Sequence, residues 1–318
     1  MRSAAMRELD RVVRVIAGKD VGVTIIGESG TGKEVLARRV HELSERRRGP
    51  FVPINCAAIP ESLFESELFG HERGAYTGAS EMARGKVEAS SGGTLFLDEI
   101  AEMPFLMQAK VLRFLEHRKF MRVGGSTKIS VDARVVCATL RPLEQEVSAG
   151  RFRADLYYRL QGVVLQLPPL RERPLDIPSL VNQFLAELSA RHSVRAPKMT
   201  RNTLSLLRAY AWPGNVRELK NVIELVCLMR SGKTVRPGDL PRALQLDRNT
   251  NQVRTSPVNK EDQRLTVSLD QPLSDSLRQI LIASVDLENG NRSRAARRLG
   301  VSLRTIQRHL GPERQSRA

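Results

Sequence analysis

The tightest constraint in this sequence is a loop of seven residues. A β-branched apolar run, Val21–Ile26, ends on Gly27-Glu28-Ser29-Gly30-Thr31-Gly32-Lys33, and a helical pattern over Lys33–Leu43 starts at once. The spacing G-x-x-x-x-G-K between a strand and a helix is that of a phosphate-binding loop. Glycines let backbone N–H groups turn inward onto phosphate oxygens. The helix N-terminus adds partial positive charge, and Lys33 reaches the outer phosphates. A chain built around such a loop must supply a buried strand, a covering helix and parallel neighbours, so an α/β fold is predicted. Thr94–Leu97 and Ala133–Ala138 read as further buried strands, with helical patterns between them.

Glu34 stands where a serine or threonine ordinarily offers a hydroxyl to Mg²⁺. A carboxylate is itself a Mg²⁺ ligand, directly or through water, so the metal can be held differently here. The apolar strand Thr94–Leu97 ends on Asp98-Glu99, preceded by Gly92-Gly93. Beside a phosphate loop this pair divides naturally, with Asp98 toward Mg²⁺ and Glu99 activating water. The bland alternative is a solvated strand end or a helix cap.

Beyond the prolines at 168, 169, 174 and 178 the pattern is helical to about Leu246, with no convincing strand. Phe120–Val123 and Lys128–Val131 flank Gly124-Gly125-Ser126 as a hairpin. The predicted organisation is an α/β nucleotide-binding part at 1–170, a helical lid at 171–246, a polar linker at 247–269, and a helical DNA-binding tail at 270–318. The net charge of +16 calls for an anionic partner. Residues 291–318 concentrate that charge, with eight arginines against the single acid Glu313. Their pattern is a helix-turn-helix. Ser293–Leu299 turns Ala295, Ala296 and Leu299 inward, Gly300 makes the turn, and Ser302 caps Leu303–Leu310. Ile306 and Leu310 anchor the second helix. Arg304, Thr305, Gln307 and Arg308 face the major groove of duplex DNA, with Arg292, Ser293 and Arg294 on the helix before it. Leu273, Leu277, Ile280, Leu281 and Ser284 repeat at helical spacing and supply a preceding helix. Three distant cysteines and the lack of a histidine cluster predict no disulfide framework and no structural zinc. They fit a cytoplasmic protein, and no apolar run is long enough for a membrane span.

These motifs resemble a specific family. GESGTGKE (27–34), ELFGHERGAYTGA (67–79), GGTLFLDEI (92–100), RFRADLYYRL (151–160), LPPLRERPLDIP (167–178) and WPGNVRELKN (212–221) are similar to the sigma-54-dependent transcription activators, bacterial enhancer-binding proteins of the AAA+ ATPase superfamily. The tail resembles a Fis-type DNA-binding domain, which dimerises on helices like the preceding one. The Lys33-Glu34 pair also matches the family. The resemblance implies a P-loop parallel sheet with helices on both faces and a helical lid. It further implies ATP and Mg²⁺ as cofactors, a homo-oligomeric ring (a hexamer in action, a dimer at rest), and remodelling of sigma-54 RNA polymerase at a closed promoter. It assigns Gly74-Ala75-Tyr76-Thr77-Gly78-Ala79 to the loop that touches sigma-54, with Tyr76 in place of the usual phenylalanine. It assigns Arg153 and Arg159 to a neighbour's nucleotide, although a salt bridge to Asp155 or another acid is the competing use of each. Arg217 becomes the lid's sensor arginine, and Asn55 couples Glu99 to the moving loop.

Two departures set further expectations. Ala138-Thr139-Leu140-Arg141 resembles the family's A-T-N-R, so Leu140 replaces the asparagine that senses the γ-phosphate and Thr139 is left as the polar group there. Turnover is expected to couple less well to movement. The alternative function is then a DNA-binding regulator with weak or lost ATPase. Second, Met1 falls where the family carries a short apolar stretch enclosing adenine, with no receiver or sensing domain before it. A misassigned start and a truncated activator controlled in trans are the two readings.

Overall fold

The computed structural model describes residues 3–241, 244, 278, 279, 281–285, 288, 291–299, 301 and 303–310. Of these, the side chains of 297–299, 304, 308 and 309 are not described. The chain divides into two compact units, residues 1–252 and 253–318.

The first unit opens with helix α1 (Ala4–Ala17), strand β1 (Val23–Ile26), helix α2 (Lys33–Glu42) and strand β2 (Phe51–Asn55). Helix α3 (Glu61–Phe69), the short strands β3 (Gly70–His71) and β4 (Ala83–Arg84) and the single-turn α4 (Lys86–Ala89) follow. Then come β5 (Thr94–Asp98), α5 (Phe105–His117), the hairpin strands β6 (Lys119–Phe120) and β7 (Ile129–Ser130), β8 (Arg134–Thr139), α6 (Leu143–Ser148), α7 (Ala154–Leu160) and β9 (Val163–Gln166). Five strands form one parallel sheet in the order β2-β5-β8-β1-β9. The three central strands are the three predicted from apolar runs, each shifted by a residue or two. The two edge strands escaped that reading because half-exposed edges carry a weaker apolar pattern, and Pro53 in β2 is tolerated only on an edge.

Alternation along the central strands splits the core in two. Leu95 and Leu97 of β5, with Val135 and Cys137 of β8, pack against Phe64, Val111, Phe114 and Leu156 from α3, α5 and α7. Phe96, Val136 and Ala138 face the other way, onto Val13 of α1 and Leu36 and Val40 of α2. Both faces of the sheet are therefore covered, as a parallel sheet requires. All catalytic candidates from these strands sit at their C-terminal ends.

The lid follows as α8 (Ile177–Arg191), β10 (Lys198–Met199), α9 (Arg201–Ala209), α10 (Asn215–Met229) and β11 (Thr234–Val235). The expectation of no strand beyond residue 171 is corrected by the parallel pair β10–β11. Two residues per strand are too few to leave an alternating pattern. Trp212 is fully buried in the lid core and donates its indole N–H to Leu207 O at 2.8 Å, so it is a packing residue.

In the second unit, helices Arg292–Leu299 and Leu303–Leu310 match the predicted pair to within a residue. Leu281, Ala295, Ala296 and Ile306 form their small core, with Leu310 packed against it. Asn291 Oδ1, which the sequence reading passed over, caps the first helix by accepting from Arg294 N at 3.0 Å. Ser293, Arg294 and Gln307 are exposed, while Arg292 and Thr305 are half-buried. Ser302 and Gly300, with Leu273, Leu277 and Ile280, lie outside the described residues, as do the side chains of Arg304 and Arg308.

Candidate functional site

The loop between β1 and α2 is built by backbone geometry that only glycine adopts freely. Gly30 and Gly32 have φ of +73° and +102°, and Gly32 leads directly into α2. Thr31 Oγ1 donates to Glu28 O at 2.7 Å and stiffens the turn. Lys33 is 6% exposed, donating to Gly27 O at 3.0 Å and lying 3.2 Å from Glu99 Oε1. Burying an ammonium is costly without partners, and both of these belong to the site.

Asp98 and Glu99 close β5 beside this lysine. Burial pushes the Asp98 carboxyl above its ordinary value, against the pull of Lys33. Glu99 takes φ of +51°, a left-handed conformation that is strained for a residue with a Cβ. Its backbone N–H donates to Asp98 Oδ1 at 3.0 Å. The bend aims its carboxylate back at Lys33. Glu34, in the first turn of α2, lies 3.3 Å from Arg38. Its charge is one of those that raise Asp98, so the two carboxylates share one field. Among the described residues no group of three or more His, Cys, Asp or Glu could cage a metal by itself. Mg²⁺ needs no such cage, since it takes one or two carboxylates and completes its shell with phosphate and water.

The lid closes on the same loop through contacts that the motif alone did not reveal. Glu28 accepts two hydrogen bonds from Arg171, at 2.6 and 2.9 Å, and one from Asn215 Nδ2 at 3.1 Å. Those partners, Arg171 first, hold its carboxyl down to about 2. Asn215 is completely buried, with φ of +52°, and also donates to Ser29 O at 3.0 Å. Val216 N donates to Gly30 O at 2.9 Å, and Arg217 Nη1 to Ser29 Oγ at 3.0 Å. Arg217 thus reaches the loop through Ser29. Arg173, 5% exposed, donates to Thr31 O at 2.7 Å and touches Met6 Sδ at 3.3 Å. Three residues on, Asp176 accepts from Ser3 N and Ser3 Oγ at 3.0 and 2.6 Å. The signals for Asn215, Arg171 and Arg173 lay in WPGNVREL and LRERP. An asparagine after glycine suits a left-handed turn, yet nothing in either string names the partner.

The remaining expected residues are placed as follows. Asn55 stands opposite Asp98 in the sheet register, and its Oδ1 accepts from Ala57 N at 3.0 Å, capping a short turn. Thr139 ends β8 opposite Ile26, and its carbonyl accepts from Gly27 N at 3.2 Å. Its hydroxyl donates to Arg141 O at 2.9 Å and accepts from Arg141 N at 3.2 Å. Leu140 is exposed. Arg153 makes the competing contact named above, donating to both Asp155 oxygens at 3.0 and 2.7 Å. Arg159 donates to Leu115 O at 3.0 Å. Both arginines sit on or beside α7, and their hydrogen bonds are to residues outside the phosphate loop.

Gly74–Ala79 forms a tight turn between β3 and β4. Gly74 N donates to Ala79 O at 2.8 Å and Ala79 N to Tyr76 O at 3.0 Å, with Gly74 and Gly78 both at positive φ. Tyr76 is 41% exposed and packs edge-on against His71 at 5.1 Å. The turn rests on the β6–β7 hairpin, where Glu72 N donates to Val123 O at 3.0 Å and Val123 N to Gly70 O at 2.9 Å.

A parallel sheet with a P-loop at its switch point, an acidic strand end and a lid hydrogen-bonded to that loop define a P-loop nucleotide-binding protein of the AAA+ type. Comparison with known sequences narrows this. Sequence profiles match the Sigma-54 interaction domain over residues 1–166, the AAA+ ATPase lid domain over 171–257, and the bacterial regulatory protein Fis family over 278–311. The chain belongs to the sigma-54 interaction domain family. It is 45% identical over 305 residues to the regulatory protein AtoC of Escherichia coli (strain K12), covering 96% of this chain and 65% of that protein. Against the transcriptional regulatory protein ZraR of Klebsiella oxytoca it is 43% identical over 304 residues, covering 96% and 66%. The chain thus spans just under two thirds of these relatives' length. Among solved structures it resembles NtrX from Brucella abortus in complex with ATP, with a TM-score of 0.71 and 33% identity over 97% of this chain and 67% of that one.

Proposed function

We propose that this chain is an ATP-hydrolysing activator of sigma-54-dependent transcription. It binds upstream duplex DNA through its C-terminal helices and remodels the closed complex of sigma-54 RNA polymerase through Gly74–Ala79. The observation that carries the reading is the placement of Lys33 between Gly27 O and Glu99, with Asp98 alongside. ATP phosphates entering the loop compete for the Lys33 ammonium and release the Glu99 carboxylate, which then takes a proton from the attacking water. Asp98 and Glu34 are the oxygen donors suited to Mg²⁺, which when bound neutralises charge on the phosphates. Arg217, already on Ser29, follows the phosphate loop with the lid.

Arg153 and Arg159 bond to Asp155 and Leu115 rather than to their own loop, which fits arginines offered to a neighbouring copy's nucleotide in a ring. A working hexamer and a resting dimer are part of the same reading, as is the cytoplasm. Among the described residues no helix is long and apolar enough to cross a membrane. The positioning roles of Asn55 and Thr139 belong to it too. The domain plan that goes with it is 1–170, 171–246, 247–269 and 270–318. The test is ATP hydrolysis by the purified chain beside Lys33→Ala and Glu99→Ala. A rate well above both variants is expected, and three equal background rates would refute the enzyme.

One observation favours a second reading, a DNA-binding regulator with little turnover. Thr139 Oγ1 is committed to the Arg141 main chain and the neighbouring position is leucine, so neither residue 139 nor 140 offers a side-chain donor to follow the γ-phosphate. DNA binding that survives in the Glu99→Ala chain with wild-type activation of transcription would establish that reading.

A further inference from the structure

Gln108 lies in helix α5, fully buried, and takes no part in the phosphate-loop contacts described above. A buried amide must find partners, because an unpaired polar group away from water costs more than a hydrogen bond returns. Gln108 finds three, all main chain. Its Nε2 donates to Met103 O at 3.1 Å and to Arg151 O at 3.0 Å, and its Oε1 accepts from Arg153 N at 2.9 Å. Two carbonyls on one side and an N–H on the other assign the amide's orientation, since a flipped amide would set its oxygen against both carbonyls. The Met103 bond is local, whereas the other two reach 43 and 45 residues along the chain.

Those two distant bonds grip a segment that is pinned at every residue. Arg151 N and Phe152 N both donate to Glu146 O, at 2.9 and 3.1 Å. The Arg151 guanidinium bonds the Glu146 carboxylate at 2.6 and 3.1 Å. Phe152 is buried in the same core as Met107 and Val111 of α5. Arg153 comes next, in extended conformation, as the N-cap of α7. Its N–H goes to Gln108, so the amide decides where the Arg153 main chain stands. The guanidinium alone is left to swing, and it rests on Asp155 at the surface. An exposed ion pair of that kind is weak and readily exchanged.

Taking Arg153 as the arginine offered to a neighbouring copy's nucleotide, as proposed above, we infer that Gln108 is its positioning residue. The amide holds the main chain of residues 151–153 so that a rigid stem carries an exchangeable guanidinium. A group that stabilises a transferring phosphoryl must be placed to within about an ångström, and a misplacement of that size can cost about 100-fold in rate. A primary amide suits the task because it offers an acceptor and two donors on one uncharged side chain. An apolar residue of the same length would fill the space and leave Met103 O, Arg151 O and Arg153 N without the partner they have now.

The test pairs two disabled full-length chains. Lys33→Ala keeps Arg153 and lacks a working phosphate loop, while Arg153→Ala keeps the loop and lacks the arginine. Mixed, they should regain ATP hydrolysis wherever the loop of the second meets the arginine of the first. Gln108→Met is then added to one chain at a time. In the Lys33→Ala chain it should cut the regained rate at least about ten-fold, with the KM for ATP little changed. In the Arg153→Ala chain it should leave the regained rate intact, because that chain has no arginine to position. Equal loss in both placements, or full recovery in both, overturns the inference. Should Gln108→Met fail to fold, Gln108→Glu takes its place in the same two mixtures, since it keeps an acceptor for Arg153 N and loses the amide donors to Arg151 O and Met103 O. No recovery from the parent mixture, beside a wild-type chain that hydrolyses ATP, overturns the role of Gln108 and leaves the ATPase standing. A wild-type chain at background rate overturns the proposed function, and this role with it.

Discussion

Replacing Gly30 with alanine isolates the lid's grip on the phosphate loop. Gly30 has φ of +73°, and a Cβ there would meet Gly214 O at 2.5 Å and Arg217 Cβ at 3.1 Å. The left-handed backbone alone costs an alanine roughly 1–2 kcal/mol. Relief of the clash needs the lid to retreat by nearly an ångström, because Gly214 O is main chain and has no rotamer to change. That retreat stretches the bonds from Val216 N and Arg217 N to Gly30 O, now 2.9 and 3.3 Å. At about 1 kcal/mol each, their loss brings the total to roughly 3–4 kcal/mol. Gly32→Ala is the matched control. Its φ is +102°, but nothing lies within 4 Å of a Cβ there, so it suffers backbone strain alone. Chemical denaturation without nucleotide should therefore show Gly30→Ala destabilised by about 2 kcal/mol more than Gly32→Ala, the share owed to the lid contact. Equal losses in the two variants would refute the claim that Gly30 is required by the lid.

Other outcomes follow from single contacts. Asp98 binds its proton more tightly folded than unfolded, so its stabilising effect is complete below the ordinary value of 3.8 and is lost as pH rises through the raised folded value. Asp98→Asn should therefore raise the melting temperature at neutral pH while abolishing ATP hydrolysis, and a lower melting temperature would contradict the burial argument. Glu28 behaves oppositely, since Arg171 and Asn215 hold it near 2 against an ordinary 4.5. The clasp should persist at pH 5 and fail as pH falls through about 2, and Arg171→Ala should speed nucleotide release in stopped flow with little change in the hydrolysis step. Tyr76→Phe should keep polymerase activation near wild type, because the ring rests on His71 while the hydroxyl lies 3.5 Å from Ser66 Oγ. A drop of ten-fold or more would give that hydroxyl a role. Leu140→Asn should raise activation by restoring a donor at the end of β8, and no change would show that the position is idle.

By itself the sequence determined the local machinery. Gly30, Gly32 and Lys33 fix the phosphate loop because backbone torsion and a lysine's reach are set within a few residues. The apolar run before Asp98-Glu99 fixes a buried strand with acids at its end, and alternation assigns Leu95 and Leu97 to one face and Phe96 to the other. The helix-turn-helix was legible for the same reason, since Ala295, Ala296 and Ile306 lie within a dozen residues of each other. Only the tertiary structure decided which partner each polar group takes across the fold. Glu28 could have met solvent, and the packing of the lid gave it Arg171 and Asn215, some 143 and 187 residues away. Thr139 kept its chemistry but turned its hydroxyl into its own loop. Short-range torsion and periodicity are written in adjacent residues, whereas the pairing of buried charge depends on which surfaces the whole core brings together.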